Sequence, residues 1–573
     1  MKNYFRHLIG TKLRLGVITC VSVISFLGLF SFVDNDFKIT KNFDIFFTLF
    51  RELSMYYVDD TDPDKLIKVG IDAMLESLDP YTVYIPESEI DDYKFLTTGQ
   101  YGGIGALLRK NANNVVISEP YENYPAQKAG IRAGDIVHEI NGKSIYQKSI
   151  SEISELLKGN PKSEIELTLS RPGETKQFKK ILLREKISVN NVPYFGMVTH
   201  NIGYIKLTNF TNDAHLEVKS ALLKLKEKGA QAIILDLRGN PGGLLIEAVN
   251  TANLFVDKGQ EIVRTKGKVK QWDNTYKTKS SSVDTQIPLA VLVNKGSASA
   301  AEIVAGALQD IDRAVIIGQR TFGKGLVQTT RALSYNTQLK VTTAKYYIPS
   351  GRCIQALDYS HRDPDGSVGY IPDSLISEFS TKNGRKVYDG GGIVPDLFIK
   401  NESLSRLTLN LYSRSYIFNF ATEYAIKHDS IGPPSTFEFS DKEYENFVNY
   451  LKEKNFDYQT ESEEAFIKLT NVAAQEKYLE QSKDEFRALS HKIIHDKIRD
   501  LETYKDEVSE LLKEEIVSRY YYQHGRIEIS LFTDTHVSKA IEVLYNKGLF
   551  AGILNGTYKP IVADTRKGKN QNN

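Results

Sequence analysis

Pro288-Leu-Ala-Val-Leu-Val-Asn294-Lys-Gly-Ser-Ala-Ser299-Ala-Ala-Glu302 is the stretch from which the fold unrolls. Residues 288–294 are apolar without alternation, which predicts a strand covered on both faces. Lys295 and Gly296 turn the chain, and small residues open a helix expected over 299–310. The same unit recurs on both sides. Gly203–Leu207 reads as a strand. Residues 213–228 form an amphipathic helix on Leu216, Val218, Leu222, Leu223 and Leu225. Ala232–Leu237 is another buried strand, a helix follows Gly243, and Ala314–Gly318 is a strand. Strands alternating with helices predict a sheet covered on its faces, so residues 187–400 are expected to form an α/β core.

The turn before that helix suits a nucleophile. A side chain there stands above the sheet, and unpaired N–H groups at a helix start favour an oxyanion. A serine at a helix start is also an ordinary cap, so Ser299 alone decides nothing. Ser297 competes with it in the same segment. Thr321-Phe-Gly-Lys324-Gly-Leu-Val-Gln328 adds a lysine between two glycines, bounded by apolar residues. A lysine in apolar surroundings can lose its proton and act as a base. Glycines let the backbone bring it close to a hydroxyl. Gln328, four residues on, can hold the amine in line. By itself Lys324 would read as a solvated loop lysine. A Ser-His-Asp triad is the rival chemistry, with His200, His215 and His361 as candidates, none of them in a motif.

Upstream, residues 97–186 alternate strand-like stretches (115–118, 135–140, 164–169) with turns such as Asn141-Gly142, and place a helix at about 149–158. This region resembles a PDZ domain through Gly102-Gly103-Ile104-Gly105, Ser118-Glu119-Pro120, the run Pro125 to Ile131, Gly134-Asp135 and Ile140-Asn141-Gly142. Such a Gly-rich loop can hold a peptide's terminal carboxylate while the strand edge pairs with the peptide. Residues 36–96 read as a helical module, with Phe43, Phe46, Phe47, Phe50, Leu53 and Tyr57 on one face and a second helix ending at Asp79-Pro80. Residues 401–560 read as a helical, Tyr-rich packing or oligomerisation domain, with 475–519 one long stretch of helix formers. Residues 561–573 read as a basic disordered tail.

Before these lies residues 1–35, a membrane anchor or signal segment. The run Leu15 to Val33 carries no charge and follows Lys2, Arg6, Lys12 and Arg14. Nineteen residues span about 28 Å as a helix, close to the hydrocarbon thickness of a bilayer. The basic flank keeps the N-terminus inside and exports the rest. Phe30-Ser-Phe-Val33 lacks a small-x-small cleavage pattern, so a retained anchor is expected over a cleaved signal peptide.

The net charge of +1 over 573 residues leaves no basic excess for nucleic acid. The two cysteines, Cys20 and Cys353, support neither a disulfide framework nor a zinc site. Cys353 reads as a small core residue. No metal-ligand cluster is present, and neither metal nor cofactor is expected.

Taken together, the PDZ-like region, Asp236-Leu-Arg238-Gly-Asn-Pro-Gly242-Gly243, the Gly296–Glu302 segment and the Thr321–Gln328 segment resemble the carboxy-terminal processing peptidases, or tail-specific proteases, over residues 40–400. The 25 residues from Ser299 to Lys324 and the four more to Gln328 fit that pattern. The resemblance implies a multidomain α/β serine endopeptidase with a helical N-terminal module, a PDZ-like β-rich domain, an α/β protease core and a helical C-terminal extension. It implies Ser299 as nucleophile, Lys324 as general base, Gln328 as orienter, and the amides of Gly243 and Ala300 as oxyanion hole. Ala301 stands where the family more usually has serine. Asp236 and Arg238 read as structural. The expected partners are polypeptides held by their C-terminal tails at Gly102, Gly103, Ile104 and Gly105, in the cell envelope on the periplasmic side, with a homo-oligomer as an option. A non-catalytic PDZ adaptor is the alternative; it would leave the Ser299–Lys324–Gln328 set without a purpose.

Overall fold

The computed structural model describes residues 36–400, 403–494 and 497–558, so the expected anchor at 15–33 and the tail at 561–573 lie outside the described residues. Among the described residues no helix is long and apolar enough to cross a membrane. The chain divides into two units, Met1–Tyr84 and Ile85–Asn573. The first holds helix over residues 36–56 and the helix Pro63–Glu76, which Asp62 caps through the N–H groups of Asp64 and Lys65.

In the second unit, a PDZ domain comes first. Strands β1 (Gln100–Gly103), β2 (Ala106–Asn111), β3 (Asn114–Pro120), β4 (Ile136–Ile140), β5 (Glu164–Ser170), β6 (Phe178–Leu183) and β7 (Glu185–Ser188) surround helix α1 (Ile150–Leu157). A Ser-x-x-Glu box starts α1: the Ser149 N–H donates to Glu152 Oε2 at 2.7 Å, and Ser149 Oγ accepts from the Glu152 N–H. The antiparallel sheet runs β2-β3-β4-β5-β6, and β1 pairs separately with β7. Strand β2 is therefore an edge, and α1 packs beside it. Ile117, Ile153, Leu167 and Leu169 are fully buried between sheet and helix.

The core sheet contains β8 (Tyr194–Met197), β9 (Ile202–Lys206), β10 (Ala232–Asp236), β13 (Leu289–Val293), β14 (Val315–Gly318) and β17 (Leu397–Phe398), in that spatial order. Only the β8–β9 pair is antiparallel. Helices α2 (Ala214–Glu227), α3 (Leu245–Asn253) and α4 (Ala300–Asp310) cover one face, packing on Ile205, Leu235, Val291 and Ile316. Neighbouring positions on the same strands, Tyr204, Ile234, Leu292 and Ile317, point the other way and are also buried. Burial of both faces is why these strands read as unbroken apolar runs. Strands β11 (Glu261–Gly267), β12 (Asn274–Lys277), β15 (Leu326–Ala332) and β16 (Gln338–Tyr347) form a second, antiparallel sheet in the order β12-β11-β16-β15.

The C-terminal helical region, including α5 (Tyr416–Lys427), α6 (Lys505–Ser530), α7 (Thr535–Tyr545) and α8 (Lys547–Leu554), packs in two ways. Leu407 to Ile516 gather a core of their own. Val537, Ala540, Val543 and Leu544 of α7 and Ile553 of α8 instead cover the second face of the core sheet. The stretch 475–519 is not one helix. It divides into Lys483–Ile493, Lys497–Thr503 and the start of α6. Helix propensity alone does not keep a helix continuous where packing bends the chain. Helix α6 itself kinks at Tyr522, whose φ is +52°.

The same region holds the PDZ domain. Arg526 pairs with the buried Glu119 at 2.9 Å, Asn111 donates to Asn419 at 2.7 Å, Arg109 donates to Ser415, and Gln127 donates to the Tyr522 hydroxyl. The Phe418 ring is flanked by two guanidinium groups, Arg109 from the PDZ domain and Arg519 from α6.

Candidate active site

Strand β13 ends at Val293, and Ser299 stands as the cap residue before α4 with φ +54° and ψ −113°. A non-glycine residue in that region is strained and persists only where its surroundings enforce it. Three fixings do so. Ser297 is fully buried; its hydroxyl donates to the Leu237 carbonyl at 2.8 Å and accepts from the Asn294 N–H. The Ala298 N–H donates to the Asn240 carbonyl at 2.9 Å. The Ser299 N–H donates to Glu302 Oε2 at 2.8 Å. Ser297 is thereby committed to the turn, and Ser299 is left half-buried at its apex.

The loop after β10 lies against this turn. Asn240, fully buried, donates to the Leu207 carbonyl and accepts the Gly242 N–H at 2.8 Å. Gly242 has φ +100°, and a Cβ there would lie 2.8 Å from Ser299 Cβ and 2.9 Å from the Ala300 nitrogen. Only glycine fits that approach. Gly243 follows, bridged to Phe210. Among the described residues, the N–H groups of Gly243 and Ala300 meet no protein acceptor, whereas that of Gly242 is taken by Asn240.

Lys324 reaches the same place through the segment before β15. Glu302 joins the two segments. Its carboxylate is fully buried and accepts from the N–H groups of Ser299 (2.8 Å), Gly323 (2.8 Å) and Lys324 (2.9 Å) and from the Thr321 hydroxyl (2.5 Å). Burial pushes this carboxyl up to about 7, against four hydrogen bonds that pull it down. Tyr346, buried on β16, sets its hydroxyl against the backbone carbonyls of both Ser299 and Lys324. Lys324 is half-buried. Gln328 lies on β15 opposite Thr342, and its amide donates to the Thr342 hydroxyl at 3.2 Å.

Neither Glu302 nor Tyr346 has a role in the sequence reading. Glu302 carries a signal, since a carboxylate three residues into a helix reads as half of a capping box. Tyr346 has none; its place depends on the register of β16 with β11 and β15.

The rival histidines are engaged with other groups. His215 pairs with Glu247 at 2.7 Å, His361 is exposed and bonded to Asp358, and His200 stacks on Tyr545. Cys353 is half-buried, and burial raises its thiol. Among the described residues no group of three or more His, Cys, Asp or Glu side chains could hold a metal. In the PDZ domain, Gly102 and Gly103 pair with Lys186 and Glu185 on β7, and a Cβ at Gly102 would come within 2.0 Å of the Gly159 carbonyl. Ile104 is buried, and the Ile104 and Gly105 carbonyls accept from the N–H groups of Ala126 and Tyr121.

A sheet with this strand–turn–helix serine and a glycine-flanked lysine beside it, preceded by a PDZ domain, is the architecture of a serine protease. Three family descriptions match: "Peptidase family S41" over residues 201–366, "PDZ domain" over 116–171 and "Probable PDZ-protease, C-terminal helical domain" over 407–544. A "Probable CtpA-like serine protease" of Staphylococcus aureus (strain N315) is 34% identical over 459 residues, covering 79% of this chain and 89% of that protein. One of the same description from Staphylococcus haemolyticus (strain JCSC1435) is 34% identical over 412 residues, covering 71% and 80%. Among solved structures, the photosystem II D1 C-terminal processing protease is 28% identical with TM-score 0.34, covering 62% of this chain and 92% of that one. The chain belongs to peptidase family S41, the C-terminal processing peptidases, in the branch that carries a PDZ domain.

Proposed function

We propose that this protein cleaves polypeptides near their C-terminal tails through an acyl-enzyme on Ser299, with Lys324 as general base. The single observation that carries this reading is the junction at Glu302. One buried carboxylate holds the N–H groups of Ser299 and Lys324, and the Tyr346 hydroxyl meets the carbonyls of both. Two segments 25 residues apart are thus fixed as one unit at a strained helix start.

The neutral Lys324 amine takes the Ser299 hydroxyl proton as Oγ attacks the scissile carbonyl carbon. The oxyanion accepts hydrogen bonds from the Gly243 and Ala300 N–H groups, whose lack of a protein acceptor suits that duty. Collapse breaks the C–N bond, and the Lys324 ammonium returns its proton to the leaving amine. Lys324 then deprotonates a water that attacks the acyl carbon, the C–Oγ bond breaks, and the Lys324 ammonium returns the proton to Ser299 Oγ. Gln328 orients the Lys324 amine. The substrate tail adds to the free edge of β2 beside α1, with its carboxylate at the 102–105 loop. Residues 15–33 tether the enzyme, exported, to the membrane.

The test is turnover of fluorescein-labelled casein and of a peptide with an apolar C-terminus. Ser299→Ala and Lys324→Ala should each reduce cleavage by at least about a thousandfold, the scale at which a nucleophile or its base is lost. Undiminished activity in either variant refutes the assignment.

A further inference from the structure

The loop that supplies Gly243 is anchored from the far end of the chain. Asp236, the last residue of β10, is fully buried. Its carboxylate receives the Tyr204 hydroxyl at 2.6 Å, the Arg238 N–H at 2.8 Å, the Arg238 guanidinium and, at 3.1 Å, Lys206. Burial works against this charge, yet Arg238 and Lys206 hold the carboxyl well below the usual range. Lys206 also donates to the Arg238 carbonyl at 2.9 Å. Asp236 alone leaves two cations facing one carboxylate. The second carboxylate is Asp534, between α6 and α7: Arg238 Nη1 and Nη2 meet its Oδ1 and Oδ2 at 3.1 and 2.6 Å. This fork-to-fork pair is 16% exposed on both sides.

From Arg238 the loop runs without slack to the site. The Gly239 N–H donates to the Asn294 side chain, Asn240 is tied to Leu207, Ala298 and Gly242, and a Cβ on Gly242 would lie 2.8 Å from Ser299 Cβ. Arg238 enters this bonded run four residues before Gly242, so its ion pair with Asp534 fixes one end of the segment that carries the Gly242–Gly243 peptide. We infer that Asp534 is a positioning residue of the protease: through Arg238 it holds the Gly239–Gly243 loop in the orientation that aims the Gly243 N–H at the developing oxyanion. The role rests on the proposed use of Gly243 in the oxyanion hole. It makes the C-terminal helical region a support of the protease site. That region also grips the PDZ domain, through Arg526 eight residues earlier, so one short segment touches both substrate-handling parts of the molecule.

Asp534 has a second duty that must be separated from the first. Its Oδ1 caps α7 by accepting from the His536 and Val537 N–H groups at 2.8 and 3.1 Å. Asn and Ser cap a helix about as well as Asp but cannot neutralise Arg238. The experiment uses the full chain with labelled casein and compares Asp534→Asn, Asp534→Ser and Asp534→Glu with wild type, measuring kcat, KM and melting temperature. The expected result is a fall in kcat of about tenfold or more in Asn and Ser, less than the loss of an oxyanion donor itself. KM should stay within twofold (about 0.4 kcal/mol) and melting within a few degrees, with Glu recovering part of kcat. Wild-type kcat in the Asn and Ser variants overturns the inference, as does a kcat loss that follows melting temperature and disappears on assaying further below it. A Ser299→Ala enzyme that still turns over would instead refute the proposed function, so the two failures are told apart.

Discussion

Glu302 shows how much one side chain can decide. Itself fully buried, it holds four donors from two segments, and its carboxyl is pushed up to about 7 because burial outweighs those bonds. The sign of the pH effect follows. Between 4.5 and about 7 the unfolded chain has lost this proton and the folded chain keeps it. The native state then binds more protons, so this group's contribution to stability falls as pH rises through that window. Glu302→Gln should flatten the decline in melting temperature from pH 5 to 8 and should also reduce kcat, because an amide cannot accept from all four donors. Parallel melting-versus-pH curves for variant and wild type would refute the first expectation.

At the scale of elements, the core sheet explains why the C-terminal helices cannot be an appendage. Tyr204, Ile234, Leu292 and Ile317 would face water without α7 and α8. Each large apolar side chain so covered contributes roughly 1.5–3 kcal/mol. Ala540 of α7 is fully buried against this face. Ala540→Asp would place an unpaired charge there and should destabilise by at least about 3 kcal/mol. The urea midpoint measures it; a change below 1 kcal/mol (roughly within the range of surface substitutions) would mean that the helices lie elsewhere in solution. The strands themselves were legible, since burial on both faces writes an unbroken apolar run. The division of 475–519 was not, because helix formers do not mark where packing turns the chain.

For the whole molecule, the joint between PDZ domain and helical region is polar and buried. Glu119 is 4% exposed and faces Arg526, with Glu515 and Arg519 beyond it. Removing the Glu119 charge takes away the nearer partner of Arg526, which keeps Glu515 at 3.7 Å. Glu119→Gln should therefore loosen the joint. Hydrogen exchange should quicken together in β3 and in the kinked part of α6, while the core sheet stays protected. Unchanged exchange in β3 would show that the remaining hydrogen bonds and the Arg109–Phe418 contact hold the PDZ domain without this pair.

The sequence by itself determined the class of fold, the family, and a short set of residues to consider at the site. Those features are local: strand periodicity, a glycine turn, a lysine between glycines, a Gly-rich loop. It also preferred Ser299 to Ser297 by spacing; the structure shows the Ser297 hydroxyl bonded to the Leu237 carbonyl and the Asn294 N–H. Only the tertiary structure decided what surrounds them. Tyr346 arrives by strand register, Asn240 by burial, and Asp534 from 296 residues beyond Arg238. Contacts between segments so distant leave no periodicity or spacing in the chain. They exist because buried polar groups must find partners, and those partners are fixed only when the sheet, the helices and the PDZ domain have come together.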